Sequence, residues 1–219
     1  MSMDEAKINN LGRLLTTILR HRATEMGLTM KADGYIPVRE ILSLKQRTRS
    51  KIQLKSHTVA DVVSAVQQDS KQRMSVRGEG HNMEIRANQG HSLDAIRDDA
   101  LLRPVLSPDD LPVPGLCVHG TYYEALDKIM DTSGSNTGGL KTMGRKHVHF
   151  STQPFRSNKT ISGMRKTCQV LIYLDVEKAL REGIKIYLSS NEVALVSETI
   201  HPRFFLKVCR ASDGEILEM

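Results

Sequence analysis

Four polar residues occupy every second position near the middle of the chain: Arg145, His147, His149 and Ser151. Successive side chains of a β-strand point to opposite faces, so a strand over residues 144–151 would place all four on one face. A guanidinium, two imidazoles and a hydroxyl on one face are typical of the wall of a cleft that binds a polar, anionic ligand. The alternative is a strand face in contact with water, and this segment alone leaves both interpretations open.

A metal centre is the competing chemistry for the two histidines. His147 and His149 would share a strand face, but the neighbouring sequence offers no carboxylate or cysteine to complete a ligand set. The sequence also lacks a Gly-x-x-x-x-Gly-Lys-Ser loop, a Gly-x-Gly-x-x-Gly turn, a Cys-x-x-Cys pair and a Gly-x-Ser-x-Gly elbow. We therefore expect no bound metal, and the remaining candidates for chemistry are dispersed arginines and histidines.

Composition indicates a folded protein with an anionic partner. The chain has 219 residues, 39% of them hydrophobic, and a formal net charge of +6, which favours nucleic acid or a phosphorylated ligand. Its 3 cysteines cannot form a complete disulfide framework. No secretory signal and no membrane-length apolar run are visible in the sequence. We expect a soluble, intracellular protein of the cytoplasm or nucleus, without membrane association and monomeric.

The first half of the sequence predicts helices followed by a hairpin. Apolar residues at helical spacing predict an amphipathic helix over residues 7–22, with Arg20 and His21 near its C-terminal end, where the helix dipole favours cations. A turn at Asp33-Gly34 leads to a short helix over residues 39–44. The basic residues at 45–55 are expected to form a solvated loop.

A third helix and two strands complete this half. Thr58 can cap a helix whose buried side carries several valines. Residues 71–77 and 83–86 alternate in polarity around Gly78-Glu79-Gly80, which predicts a β-hairpin. Helices followed by a hairpin resemble a winged helix, although that architecture alone does not fix a function.

A proline-rich segment separates this half from a strand-rich one. Residues 93–115 contain four prolines and are expected to be an interdomain connector. Beyond it, short apolar runs predict strands near residues 117–119, 148–151, 169–175, 184–188 and 193–196, and helices at 123–130 and 176–182. His119-Gly120-Thr121 would end a strand at a helix start, where backbone N–H groups can bind an anion.

Taken together, these segments resemble one family, the NAD-dependent tRNA (RNA) 2′-phosphotransferases. The resemblance spans most of the chain and rests on these segments, in order: Leu19-Arg20-His21, Lys71-Gln72-Arg73, Ile85-Arg86-Ala87-Asn88-Gln89-Gly90-His91-Ser92, His119-Gly120-Thr121, Met143-Gly144-Arg145-Lys146-His147-Val148-His149 and Ile161-Ser162-Gly163-Met164-Arg165.

The resemblance implies a fold and a reaction. The fold would be α+β, with a winged-helix-like lobe that binds RNA and phosphate over residues 1–92, a connector over 93–115, and an ADP-ribosyltransferase-like, mixed α/β, NAD-binding lobe over 116–219. The reaction would transfer an internal RNA 2′-phosphate, as left at a ligated tRNA splice junction, to NAD+. It proceeds through an ADP-ribosylated 2′-phosphate and releases 2′-hydroxyl RNA, nicotinamide and ADP-ribose 1″–2″ cyclic phosphate.

The resemblance also implies site residues. The catalytic set would be Arg20, His21, Arg73 and Arg145. The residues expected at the NAD+ site are His119, Gly120, Thr121, His149, Ser151, Ser162, Gly163 and Arg165. Guanidinium groups suit a phosphomonoester because they bind its oxygens in bidentate fashion, and a histidine can donate a hydrogen bond or a proton.

Three positions depart from the family pattern. Leu11-Gly12-Arg13 stands where Leu-Ser-Lys is usual, Met74 replaces a phenylalanine, and Asn191-Glu192-Val193 replaces Asn-Gly-Val. The last change makes the local loop geometry uncertain, because glycine at such a position suggests a special backbone conformation.

Two other functions remain open from the sequence. One is an ADP-ribosyltransferase that modifies terminal phosphates of nucleic acids by the first step alone. The other is a non-catalytic RNA-binding module, which the presence of all four predicted catalytic residues disfavours.

Overall fold

A computed structural model describes residues 3–133, 138–157, 164, 165 and 167–217. It combines helices with two antiparallel sheets in a mixed α/β architecture. The chain divides into two compact units, Met1–Leu101 and Leu102–Met219, each with its own hydrophobic core.

The first unit is built on a long N-terminal helix. Helix α1 spans Met3–Thr17, begins four residues earlier than the sequence predicts, and carries two acidic residues in its first turn. Leu11 and Leu15 are almost completely buried, and each contributes roughly 1.5–3 kcal/mol by leaving water. The remaining elements of this unit are β1 (Ile36–Pro37), α2 (Val38–Ser43), α3 (Val59–Gln67), β2 (Met74–Arg77), β3 (Glu84–Ala87) and α4 (Asp98–Leu101).

The end of the first helix is irregular. After Thr17 the chain forms a π-helical turn over Ile18–Arg22. Three consecutive side chains, Ile18, Leu19 and Arg20, are buried in this turn. π-Helical turns occur frequently at functional sites.

The β-hairpin and helix α3 agree with the sequence prediction. Strands β1, β3 and β2 form a three-stranded antiparallel sheet in that order. Helix α3 begins with a capping box in which the Thr58 hydroxyl accepts from Asp61 N, and the Asp61 carboxylate accepts from Thr58 N. A cap of this kind stabilises a helix by about 1 kcal/mol.

The second unit is a seven-stranded antiparallel sheet. Its strand order is β10-β7-β5-β6-β9-β8-β4. Its elements are β4 (Arg103–Val105), β5 (Val118–Thr121), α5 (Tyr123–Met130), β6 (Val148–Ser151), β7 (Val170–Leu174), α6 (Val176–Arg181), β8 (Ile186–Leu188), β9 (Val193–Val196) and β10 (Phe205–Arg210). The predicted strands and helices of this half are therefore present, and β4 and β10 are two further strands that were not predicted.

The strand predicted over residues 148–151 is present with those bounds. Because it begins at Val148, Arg145 and His147 precede it, and the hypothesis that they share one strand face with His149 and Ser151 is wrong. All four residues of β6 are buried because β5 and β9 flank the strand and both of its faces are covered. The solvated strand face considered from the sequence does not occur.

The proline-rich segment contains regular structure. Pro104 lies in β4, and β4 forms an edge of the large sheet, where the missing N–H costs no ladder hydrogen bond. In the described part of the chain no helix is long and apolar enough to cross a membrane. Cys117, Cys168 and Cys209 are buried free thiols, and burial raises the pKa of Cys117 to about 12.

The turn between β8 and β9 shows which backbone conformation Glu192 adopts at the position where glycine is usual. This residue has φ 59°, in the left-handed region that favours glycine. The turn is closed by Glu192 N–H donating to Ser189 O at 2.9 Å, and the Thr152 hydroxyl donates to Glu192 O at 2.7 Å. The loop therefore keeps a glycine-like conformation with a glutamate in it, and the backbone is strained there.

Replacing Glu192 with glycine should relieve this strain. We expect Glu192→Gly to raise the free energy of unfolding by up to about 1 kcal/mol. Urea denaturation measures the change. Glu192→Ala is the control, since it keeps the Cβ atom and should bring no comparable gain; equal stability of the glycine and alanine variants would contradict the strain.

His57 should make the first unit sensitive to mild acid. Its side chain is fully buried, with Nδ1 3.6 Å from Asp61 Oδ2, and Lys7 Nζ lies 3.4 Å from the same oxygen. Burial, reinforced by the charge of Lys7 and opposed by Asp61, lowers the pKa of His57 below its usual 6.5. The unfolded chain then binds the proton more readily than the folded protein, so stability falls as pH drops below about 6.5.

Chemical denaturation at several pH values between about 7 and 5 tests this. The wild-type free energy of unfolding should fall across the window, and His57→Phe should show a smaller fall. Identical pH slopes for the two proteins would rule out the proposed contribution of His57.

Candidate active site

Arg20 lies in the π-helical turn of the first unit, packed against a glycine. Its side chain is 9% exposed. Gly90 has φ 85°, and a Cβ atom built there would lie 3.2 Å from Arg20 Cζ and 3.3 Å from Nε. Glycine at this position therefore satisfies both the backbone conformation and the close approach of the guanidinium.

His21 and Arg20 are both bound by Ser92. The Ser92 amide donates to Arg20 O at 3.0 Å, and the Ser92 hydroxyl lies 3.0 Å from His21 Nδ1. His21 is exposed, so its ring can meet a ligand while Ser92 limits its rotation.

Arg73 is held from two sides. The Asp69 carboxylate accepts from Arg73 Nη1 at 2.6 Å and from the Arg73 amide at 2.7 Å. The Asn88 amide donates to Arg73 O at 2.8 Å, and Asn88 Nδ2 donates to Gln72 O at 2.7 Å. Asp69 and Asn88 fix the start of β2 and, with it, the direction of the arginine.

A single short segment therefore contacts all three residues of this unit that belong to the predicted catalytic set. In residues 88–92, which follow β3 directly, Asn88 contacts Arg73, Gly90 contacts Arg20 and Ser92 contacts His21. We call this the 88–92 segment. Four of its five residues are buried, so it is part of the core and not a surface loop.

Arg145, in the second unit, follows a tight turn. Met143 has φ 52° and Gly144 has φ 78°, and the Arg145 amide donates to Thr142 O at 3.2 Å. Two consecutive positive φ angles define a type I′ turn, which reverses the chain ahead of β6. Arg145 is exposed at the end of this turn.

His119 and His149 lie on the neighbouring strands β5 and β6. His119 Nδ1 donates to His149 O at 2.9 Å, and His149 Nδ1 donates to His147 O at 2.9 Å. A carbonyl oxygen only accepts, so Nδ1 of each ring carries a proton. Burial lowers the pKa of His119, so its Nε2 is an unprotonated acceptor at neutral pH.

The other residues expected at the NAD+ site lie around these strands. The Ser151 hydroxyl donates to Gln153 O at 2.9 Å. Thr121 is buried at the end of β5, and a Cβ atom at Gly120 would lie 2.6 Å from Met164 Cγ. Tyr122 follows this strand, and its hydrogen bonds with Thr167 and Arg165 lower the pKa of its hydroxyl, so Arg165 lies beside this end of β5. Ser162 and Gly163 lie outside the described residues.

The structure adds positioning residues that the sequence did not single out. Asp69 holds Arg73, and its only sequence signal is the i, i+4 spacing of opposite charges. Asn88 and Ser92 were visible only as part of a matching segment. Within the described ranges, no group of three or more His, Cys, Asp and Glu side chains could hold a metal ion.

Comparison with known proteins places the chain in a family. The sequence matches the family described as "RNA 2′-phosphotransferase, Tpt1 / KptA family" over residues 6–198. The chain belongs to this family. The matched region contains the 88–92 segment and every residue of the predicted site.

Individual relatives agree with the family assignment. The tRNA 2′-phosphotransferase 1 of Danio rerio is 36% identical over 194 residues, covering 88% of this chain and 79% of that protein. The tRNA 2′-phosphotransferase of Saccharomyces cerevisiae is 34% identical over 192 residues, covering 85% and 77%. A putative tRNA 2′-phosphotransferase of Schizosaccharomyces pombe is 34% identical over 208 residues, covering 94% of this chain and 52% of that protein.

The contact between Gly90 and Arg20 can be tested with matched glycines. Gly90→Ala should lower RNA 2′-phosphotransferase turnover by ~100-fold, because the new methyl group displaces the guanidinium. Gly27→Ala is the control, since Gly27 also has a positive φ of 73° but nothing within 4 Å of its Cβ position. Both variants should lose roughly 1 kcal/mol of stability.

Steady-state kinetics and thermal unfolding of the two variants separate the effects. If Gly90→Ala keeps the turnover of Gly27→Ala at equal stability, Gly90 does not position Arg20.

Proposed function

We propose that this RNA 2′-phosphotransferase removes an internal 2′-monophosphate from RNA, such as a ligated tRNA splice junction, by transferring it to NAD+. The observation that carries the proposal is the 88–92 segment, which ties Arg20, His21 and Arg73 together in one unit. This constellation matches the substrate chemistry, because a phosphomonoester carries nearly two negative charges near neutral pH and is bound best by fixed cations.

The proposed catalytic set is Arg20, His21, Arg73 and Arg145. Arginine donors hold the phosphate oxygens and stabilise the charge that builds on them during transfer, and each such donor typically contributes a few kcal/mol. His21 donates a hydrogen bond or a proton to the phosphate. No side-chain nucleophile is needed, since the phosphate of the RNA is itself the nucleophile. This agrees with the raised pKa of the buried Cys117 thiol.

The residues proposed to bind NAD+ are His119, Gly120, Thr121, His149, Ser151, Ser162, Gly163 and Arg165. NAD+ supplies an electrophilic ribose carbon and nicotinamide as the leaving group. The described members suit such a ligand. His119 Nε2 can accept from a hydroxyl or amide group, and Arg165 can pair with a pyrophosphate.

The two-lobe organisation expected from the sequence is part of this proposal. The order of α1, β1, α2, α3, β2 and β3 supports a winged-helix-like lobe over residues 1–92. The antiparallel sheet with α5 and α6 supports an ADP-ribosyltransferase-like lobe over residues 116–219. Residues 93–115 would join them as a connector that contributes β4 to the large sheet.

An assay of the complete reaction tests the proposed function. The protein is incubated with NAD+ and an RNA that carries one internal 2′-phosphate. We expect loss of that phosphate and release of ADP-ribose 1″–2″ cyclic phosphate. No turnover would contradict the proposal, and an RNA that stays ADP-ribosylated would indicate an ADP-ribosyltransferase that performs only the first step.

Arg145 should be essential to this reaction. We expect Arg145→Ala to lower turnover by at least ~100-fold, because it removes a hydrogen-bond donor to the phosphate oxygens. Thermal stability should be unchanged, because the side chain is exposed and its loss does not disturb the core. Lys141→Ala removes an exposed cation from the same loop and should keep most of the activity. A folded, fully active Arg145→Ala protein would refute the assigned role.

A further inference from the structure

Five cations of the first unit are not explained by the proposed reaction. They are Lys45, Arg47, Arg49, Lys51 and Lys55, and the sequence has no aspartate or glutamate between Glu40 and Asp61. All five side chains are exposed, and in the part of the chain that the structure describes no carboxylate lies within ion-pair distance of them. This is a concentrated positive surface.

These cations are displayed on an ordered element instead of the solvated loop expected from the sequence. Residues 45–55, here called the basic hairpin, are closed by an isolated bridge between Arg47 and Gln53. The Thr48 amide donates to Ile52 O at 2.9 Å, and the Lys51 amide donates to Thr48 O at 2.9 Å. Leu54 is completely buried and anchors the hairpin in the core.

The turn of the basic hairpin keeps a cation where backbone geometry disfavours it. Lys51 has φ 61°, a conformation that glycine or asparagine adopts at lower cost. A lysine at this position makes the folded protein less stable than glycine or asparagine would. Local backbone strain of this kind is common where a side chain has a binding role.

The basic hairpin continues into a groove that reaches the proposed site. Asn10 Nδ2 donates to Ser50 Oγ at 2.7 Å, which fixes the tip of the hairpin on α1. Beside this contact is a groove of about 1000 Å³ whose lining includes Arg49, Arg13 and Arg73. Arg73 belongs to the proposed catalytic set, so positive charge extends from the hairpin to a residue that binds the 2′-phosphate.

The groove is also lined by three carboxylates, those of Asp4, Glu5 and Asp69. Asp69 is paired with Arg73 at 2.6 Å. Asp4 and Glu5 lie in the first turn of α1, roughly 13 Å along the helix from Arg13, and therefore mark the opposite end of the groove. The end that holds Arg13, Arg49 and Arg73 is the cationic one.

We propose that the basic hairpin and the cationic end of this groove bind the phosphodiester backbone of the RNA that flanks the 2′-phosphate. The inference rests on the proposed function and extends the RNA contact beyond the reacting nucleotide. A lipid surface suits this region less well, because the large apolar side chains exposed in the described residues, Leu106, Tyr123, Met143, Leu206 and Ile216, all belong to the second unit.

The experiment compares short and long substrates. A 2′-phosphorylated dinucleotide and an RNA of about twelve nucleotides with one internal 2′-phosphate are turned over by the wild type and by an Arg49→Gln/Lys51→Asn double variant. Asparagine tolerates the left-handed conformation, so the turn should persist, and thermal unfolding checks this. A double variant of Arg39→Gln and Arg181→Gln is the control with equal charge loss, since both arginines lie outside the groove and the hairpin.

We expect the ratio of kcat/KM for the long RNA to that for the dinucleotide to fall about tenfold in the hairpin variant at low salt and to stay at the wild-type value in the control. The negative slope of log(kcat/KM) against log[salt] for the long RNA should become shallower by roughly 1.4, the change expected when two phosphate contacts to a single strand are lost. An unchanged ratio and slope would overturn the inference while leaving the proposed function intact.

Two further outcomes would also decide against it. If the hairpin variant keeps the wild-type ratio but loses binding to phosphatidylserine vesicles, the basic hairpin serves a membrane and not RNA. If the wild type turns over neither substrate, the proposed function fails, and this inference fails with it.

Discussion

The candidate site of the first unit depends on holding Arg20, His21 and Arg73 in fixed directions. Arginine side chains lose about 2 kcal/mol of rotamer entropy when immobilised, so their placement needs contacts formed before any ligand binds. The buried 88–92 segment provides these contacts from main-chain groups, a glycine surface and two short polar side chains. Gly90 is the most restrictive of them, because its positive φ and its contact with Arg20 both exclude a side chain. Activity of the proposed kind then depends on the core as much as on the arginines.

Local signals in the sequence predict most of the secondary structure. The Thr58 cap, the hairpin of β2 and β3, and the helices α1, α3, α5 and α6 follow from spacing and capping that involve only a few neighbouring residues. The π-helical turn at Ile18–Arg22 has no comparable local signal in the sequence. The same is true of the left-handed conformation of Met143, a residue type that does not favour it.

Matching segments of the sequence, and not geometry, predict the candidate site. Arg73 belongs to such a segment, whereas the role of Asp69, which directs the Arg73 guanidinium, is visible only in the structure. The same holds for the acceptor at His119 Nε2, which follows only from the hydrogen bond of Nδ1 to a strand partner. The basic residues at 45–55 show the reverse case, in which a pattern visible in the sequence acquires meaning only when the structure orders it beside Arg73.

A double-mutant cycle between Gly90→Ala and Arg20→Ala, measured as the Kd for a 2′-phosphorylated dinucleotide, tests most directly whether the 88–92 segment positions Arg20. Because Gly90 is held to act through Arg20, we predict that Gly90→Ala weakens binding about tenfold or more in the wild-type background and adds nothing once Arg20 is alanine. Additive losses in the two backgrounds would contradict the claim that the 88–92 segment works by positioning Arg20.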